Sequence, residues 1–244
     1  MNSYELQAMQ ELKAWQKKMK KKPSLINRLS KKLQVKINSY IPDKVHKAVT
    51  ATIKQMVRGV LFGSTYTTRS RTPYSTLEAT EAVVKEKIDF YKKAAATEGG
   101  ITGAGGILLG LADFPILLSM KMKMLFDIAS VYGFSVKDYK ERLFILHIFQ
   151  LAFSSQQRRR DVFEQITDWN EKSKLIPEDI HQFDWLNFQQ EYRDYIDIAK
   201  MAQLIPGIGA VVGVIVNYRL INQLGDTAIN AYRMRLQEAK LIEG

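Results

Sequence analysis

Two stretches of this chain are apolar, crowded with glycine and nearly free of charge: GGITGAGGILLGLADFPILLSM from Gly99 to Met120, and MAQLIPGIGAVVGVIVNY from Met201 to Tyr218. In the first, Gly99, Gly103, Gly106 and Gly110 fall at helical neighbour spacings, and in the second Gly209 and Gly213 do the same. Glycine inside a helix costs roughly 1 kcal/mol relative to alanine, so a helix that carries several needs a compensating contact. Small residues four apart form a groove in which a second helix backbone can lie. The two stretches are therefore expected to cross each other, with Gly103, Gly106, Gly110, Gly209 and Gly213 at the crossing, either as the centre of a helical domain or as a pair that enters lipid.

Around them the pattern is helical throughout. From Ser3 to Lys22 the residues Ala8, Leu12, Trp15 and Met19 mark one face of a helix that Pro23 ends. Ser24 opens a second, with Leu25, Leu29, Leu33, Ile37 and Ile41 on one stripe, and Val45 to about Phe62 gives a third. Residues 63–74 lack periodicity and read as a loop and internal boundary. Ser75 to Glu78 has the form of a capping box for the next helix. Asp113 and Pro115 should split the first glycine stretch, giving helices over about 99–111 and 114–132, the second stopped by Gly133. Ser135, with Asp138 three residues on, opens a helix containing Leu143 to Leu151. Residues 156–172 are more polar, and an aromatic helix with Trp185, Phe188, Tyr192 and Tyr195 leads to Pro206. The C-terminal tail reads as polar and amphipathic, with a break near Gly225. No segment alternates long enough for a strand, so the class is all-α: a multi-helix domain at 75–244 built around two glycine-rich, hairpin-like stretches, with a basic amphipathic arm at 1–62.

Charge singles out that arm. The net charge is +11, and residues 1–60 hold twelve Lys and two Arg against Glu5, Glu11 and Asp43, while the remainder is balanced. A basic segment on a neutral body suits a partner with a dense negative surface. Trp15, Lys17, Lys18, Lys21, Lys22, Arg28, Lys31, Lys32 and Lys36 are the candidate contacts with an anionic membrane surface, because lysines flanking an apolar stripe suit an interfacial helix. Nucleic acid is not expected, since no binding motif occurs and aromatics do not interleave with the basic positions. Asp113 argues against a spanning segment, because a carboxylate at mid-bilayer is costly.

Catalytic signals are weak. With no cysteine there is no disulfide, thiolate zinc site or thiol nucleophile, and His46, His147 and His181 stand without metal-ligand spacing. His147 lies on an apolar helix and reads as a core residue. No cofactor, metal or catalytic residue is expected. Asp113 either caps the helix after it or meets Asn217 where the glycine helices cross. Lys123 and Asp127, four apart on one helix, read as a local pair.

GGITGAGGILLGLADFP, KMLFDIASVYGFS and IPGIGAVVGVIVNY together resemble the EcsC family, bacterial proteins named after a gene in an operon that also encodes an ABC transporter. The family's acid, proline, basic residue, acid and glycine would be Asp113, Pro115, Lys123, Asp127 and Gly133, with arginine common where this chain has Lys123. Its C-terminal glycine helix would be Gly209, Ala210, Gly213 and Asn217. The match covers about 75–240, and the basic arm is similar to that of the transporter-linked members. The resemblance implies an accessory role beside an exporter-type ABC transporter; with the basic arm and the weak catalytic signals, the expectation is a non-catalytic cytoplasmic protein, peripheral to the inner face of the cell membrane. The resemblance carries over no catalytic residue. A lipid- or peptide-processing enzyme, or a small-ligand carrier, with a site between the glycine helices is the alternative.

Overall fold

A computed structural model describes residues 2–21, 43–62, 74–102, 106–155, 158–186, 188 and 213–239, with backbone alone at 46, 96–102, 106–112 and 213–217. The described residues are helical, without a β-strand. In chain order the helices are α1 (Ser3–Lys20), α2 (Asp43–Phe62), α3 (Leu77–Thr102), α4 (Gly106–Val131), α5 (Tyr139–Phe153), α6 (Arg159–Ile166), the single turn α7 (Trp169–Lys172) and α8 (Gly213–Glu238); two 3₁₀ turns, Ser173–Leu175 and Ile180–Gln182, follow α7.

Local chemistry sets the boundaries. α1 opens on a capping box in which Asn2 and Glu5 exchange side-chain and backbone hydrogen bonds of 2.8 Å, satisfying two of the free N–H groups at a helix start. It ends at Lys20, ahead of Pro23, with Lys17, Lys18 and Lys20 in the last turn, where cations suit the macrodipole. The start of α3 differs from expectation: Thr76, not Ser75, is the cap, its hydroxyl accepting from Ala79 N at 3.1 Å. Likewise Asp138, rather than Ser135, caps α5 by accepting from Lys140 N at 2.9 Å. In both cases an acceptor nearer the first helical turn wins. α4 stops at Gly133, whose φ of 87° allows a Schellman close: Phe134 N donates to Ala129 O and Gly133 N to Ser130 O, both at 3.0 Å.

Two expected breaks are absent. Pro115 lies inside α4 and does not end it; residues 103–105 lie outside the described residues. An interior proline costs about 3 kcal/mol, and burial of Phe114, Leu117 and Leu118, at about 1.5–3 kcal/mol each, offsets that. Asp113 is thus a half-buried residue within a helix, not the cap of a new one. α8 runs unbroken through Gly225. A Cβ at Gly225 would stand 2.7 Å from Ile88 Cδ1 and 3.1 Å from Ile88 Cγ2, so this glycine lets α3 and α8 approach closely.

α8 is the hub, packing on α1, α3, α4, α5 and α7, and α4 is buried against α2, α3, α5 and α8. α1 belongs to the same core: Ala8, Met9, Leu12 and Met19 are buried, and the helix packs on α3, α6 and α8.

Filling the Gly225 notch should be destabilising. Gly225→Val is expected to lower unfolding free energy by about 1–3 kcal/mol, with Ile88→Ala in the same chain recovering part of the loss, read by urea denaturation.

Candidate functional site

Two consecutive turns of α8, Tyr232 to Glu238, assemble a charged centre in the interior. Arg233 is almost fully buried and forks onto Glu81 of α3, Nε to Oε1 at 2.7 Å and Nη2 to Oε2 at 2.6 Å. Its Nη1 also donates to Glu11 Oε2 of α1 at 2.8 Å and, more weakly, to Ala8 O at 3.4 Å. Glu81 accepts in addition from Tyr4 at 2.7 Å and Tyr132 at 3.2 Å, so both of its oxygens are saturated. The Arg233 pKa is raised: burial acts against the charged form, but the bonds and charge of Glu81 outweigh it.

Arg235 makes the second buried pair, with Glu141 in the first turn of α5, whose other oxygen accepts from Tyr232 at 2.7 Å. The Arg235 guanidinium lies over Phe134 and Phe144, 4.0 and 4.8 Å from their centroids, a favourable cation–π arrangement when desolvated. Tyr232 stacks on Tyr132 and Phe134 at 5.1 and 5.2 Å. Glu238 then reaches α7, accepting from Asp168 N at 2.8 Å and Asn170 N at 3.4 Å. Every carboxylate oxygen of the two buried pairs has a donor. Their chemistry is structural: saturated pairs of this kind orient helices.

Two other buried ionisable groups stand apart. His147 Nδ1 donates to Gln150 Oε1 at 3.2 Å, and the ring meets Trp169 and Phe188 edge-on; burial pushes its pKa down to about 4, so it is a neutral core residue at pH 7. Lys121, on the inner side of α4, is 1% exposed, and among the described residues its ammonium reaches only Leu117 O at 3.5 Å. Burial pushes its pKa down to about 8.

Lys123 and Asp127 do pair, but within a wider cluster: Asp127 also accepts from Tyr91 of α3 at 2.8 Å and lies 3.7 Å from Lys87. Burial alone would raise the Asp127 pKa, yet the bonds from Lys123 and Tyr91 and the charges of Lys123 and Lys87 hold it below the usual carboxylate value. What reads as a local pair thus ties α3 to α4. The side chain of Asn217 lies outside the described residues, as do Gly103 and Gly209, so the proposed crossing and its Asp113–Asn217 contact do too.

On the surface, Lys13, Lys17, Lys20 and Lys21 line a shallow depression of about 350 Å³ together with Gln16. Their spacing places them along one side of α1, and all four are exposed. Lys18 is exposed as well, on the side toward α8, while Trp15 is half-buried with its ring edge-on to Phe163 of α6 at 5.5 Å. Lys22, Arg28, Lys31, Lys32 and Lys36 lie outside the described residues. No described helix is long and apolar enough to cross a membrane, and the described residues contain no group of three or more His, Asp or Glu able to hold a metal ion.

Reasoning from sequence missed Glu81, Glu141, Arg233 and Arg235. The available signal was the run Tyr232-Arg233-Met234-Arg235 inside a helix whose other residues, Leu224, Ala228 and Ala231, have a core periodicity.

The model of the EcsC protein family matches residues 6–236, which takes in α1 as well as the expected 75–240. Protein EcsC of Bacillus subtilis (strain 168) is 47% identical over 229 residues, 93% of this chain and 94% of that protein. An uncharacterised protein of the same organism, YdbA, is 31% identical over 144 residues, 58% of this chain and 52% of its own length. No solved structure matches.

Two substitutions test the interior. Arg233→Met should cost about 3–5 kcal/mol by stranding Glu81, and adding Glu81→Gln should cost less than the two single losses together. Lys121→Met should do the opposite. Below pH 8 both folded and unfolded chains hold the Lys121 proton, and the folded state bears the full desolvation cost; from pH 8 to the free value of 10.5 the unfolded chain binds more protons, so stability rises with pH. The variant is expected to gain about 3 kcal/mol at pH 7 and to lose that rise, as measured by urea unfolding across the pH range.

Proposed function

We propose that this chain, which belongs to the EcsC protein family, is a non-catalytic accessory protein that binds the anionic inner face of the cell membrane peripherally and there associates with an ABC transporter. The observation that carries the membrane part is the row Lys13, Lys17, Lys20 and Lys21. Like charges three and four apart on a helix repel, at a few tenths of a kcal/mol per pair, and among the described residues no acidic side chain lines their depression to relieve this. Anionic headgroups would relieve it, at about 1 kcal/mol per lysine near such a surface.

The mode of binding is electrostatic. Met9, Leu12 and Met19 are buried in the core and Trp15 packs on Phe163, so the apolar side of α1 is already occupied. Contact then depends on the lysines alone and is reversible with salt. The transporter link rests on the family resemblance, which ties these proteins to an operon encoding an exporter-type ABC system.

Co-sedimentation with neutral and anionic liposomes tests the reading. The chain should bind only anionic vesicles at low salt and leave them at high salt, and reversing Lys13, Lys17, Lys20 and Lys21 to Glu should weaken binding by at least about a hundredfold. Binding unchanged by the four reversals would sink the electrostatic reading.

A further inference from the structure

A second, separate surface feature lies between α1, α6 and α8: a cleft of about 620 Å³, within the range of small-ligand sites. Three cations line it, Lys18 from α1, Arg159 from the first turn of α6 and Arg219 from α8. Arg159 is half-buried, yet among the described residues its guanidinium has no hydrogen bond or ion pair, and burial pushes its pKa down. A cation withdrawn from water without a counter-charge is a costly arrangement that a bound anion would relieve.

The carboxylates at the cleft do not fill that role. Glu11 is committed, one oxygen to Arg233 at 2.8 Å and the other to Gln7 Nε2 at 3.0 Å. Asp226, the other acid, is exposed and forms no ion pair with Arg159 among the described residues. Cations therefore outnumber the uncommitted acids.

The remaining lining is rich in acceptors. Asn230 donates from Nδ2 to Asp226 O at 2.9 Å, while its Oδ1 is shielded from water and has no donor. Buried acceptors left unmet are rare in folded chains. A ligand hydroxyl seated against Asn230 would supply the missing donor after a small shift of that side chain, and Asp226 beside it offers an exposed acceptor.

We propose that this cleft binds a phosphate ester of a small polyol, its phosphate oxygens held by Lys18, Arg159 and Arg219 and its hydroxyls by Asn230 and Asp226. A soluble glycerol phosphate and the headgroup of a phosphatidylglycerol lipid both carry this chemistry. The site is independent of the lysine row, because Lys13, Lys17, Lys20 and Lys21 do not line the cleft.

Calorimetric titration of the full chain with glycerol phosphate, inorganic phosphate and glycerol, beside flotation with phosphatidylglycerol vesicles at high salt, tests the proposal. Glycerol phosphate should bind more tightly than inorganic phosphate, and glycerol alone should not bind. Arg159→Gln should weaken binding by about tenfold or more, as loss of a hydrogen bond to a charged group does, and Asn230→Leu should remove the preference over inorganic phosphate. Lys18→Gln, at an exposed position, should weaken binding similarly and serves if Arg159→Gln does not fold. Binding in solution identifies a soluble ligand, whereas Arg159-dependent binding to vesicles alone at high salt identifies the lipid headgroup; either supports the site. No binding in either arm, or affinities in both charge variants within about twofold of the parent, overturns it. Reversal of the four row lysines should leave the titration unchanged, which separates failure of this site from failure of the membrane reading.

Discussion

The fork between Arg233 and Glu81 is the contact on which the arrangement of helices depends. A planar guanidinium presents its donors in a fixed geometry and matches a carboxylate in few relative placements, here the side-on one through Nε and Nη2. Here that placement joins α8 to α3, and the spare nitrogen of the same guanidinium reaches Glu11 and Ala8 of α1. Two residues on, Arg235 points to a different side of α8 and joins α5 and α7 through Glu141 and Asn170. One helix thus holds four others by two forks facing apart. A slip of α8 by one turn would carry both guanidinium groups away from both acids, leaving four charges buried without partners. Apolar packing alone discriminates less sharply between such registers, because one aliphatic side chain fills a gap much as another does.

Aromatic rings complete this centre. The Arg235 guanidinium is covered by Phe134 and Phe144, and Phe134 is held where it is by the left-handed turn at Gly133. The end of α4 and the electrostatics of α8 are in this way a single construction. On the outside of α1, by contrast, Lys13, Lys17, Lys20 and Lys21 face no carboxylate across their depression among the described residues, and Lys20 meets a ring, Phe163, at the longer distance of 6.0 Å; one set of cations serves the architecture and the other is free to meet an anionic surface.

Helical class, the extents of α1 and α2, and the end of α4 at Gly133 were legible in the sequence, because periodicity and glycine punctuation are local signals. Three kinds of feature were not. Cap choice at Thr76 and Asp138 depended on which of two nearby acceptors reached the first turn. The continuity of α4 through Pro115 and of α8 through Gly225 came from burial on neighbouring helices, which overrides local propensity. The ion pairs were hidden for a related reason: Arg233 and Arg235 look like members of a solvated tail until the partners at Glu81 and Glu141, 152 and 94 residues away, are known. The lysine row could be read directly, since repeated like charges need no distant partner to be recognised. Neither the orphan guanidinium of Arg159 nor the unmet oxygen of Asn230 has any local signature at all.

The joining of α1 to α8 has a consequence for how the chain is made. Arg233 touches Ala8 across 225 positions of sequence, so all the residues between them must leave the ribosome before α1 meets α8. Until then Glu81 and Glu141 wait in half-built surroundings with their guanidinium partners still unsynthesised. Such distant closures are entropically expensive and slow. The centre of the nascent domain consequently stays open until α8 emerges, and α8 is the helix that locks it.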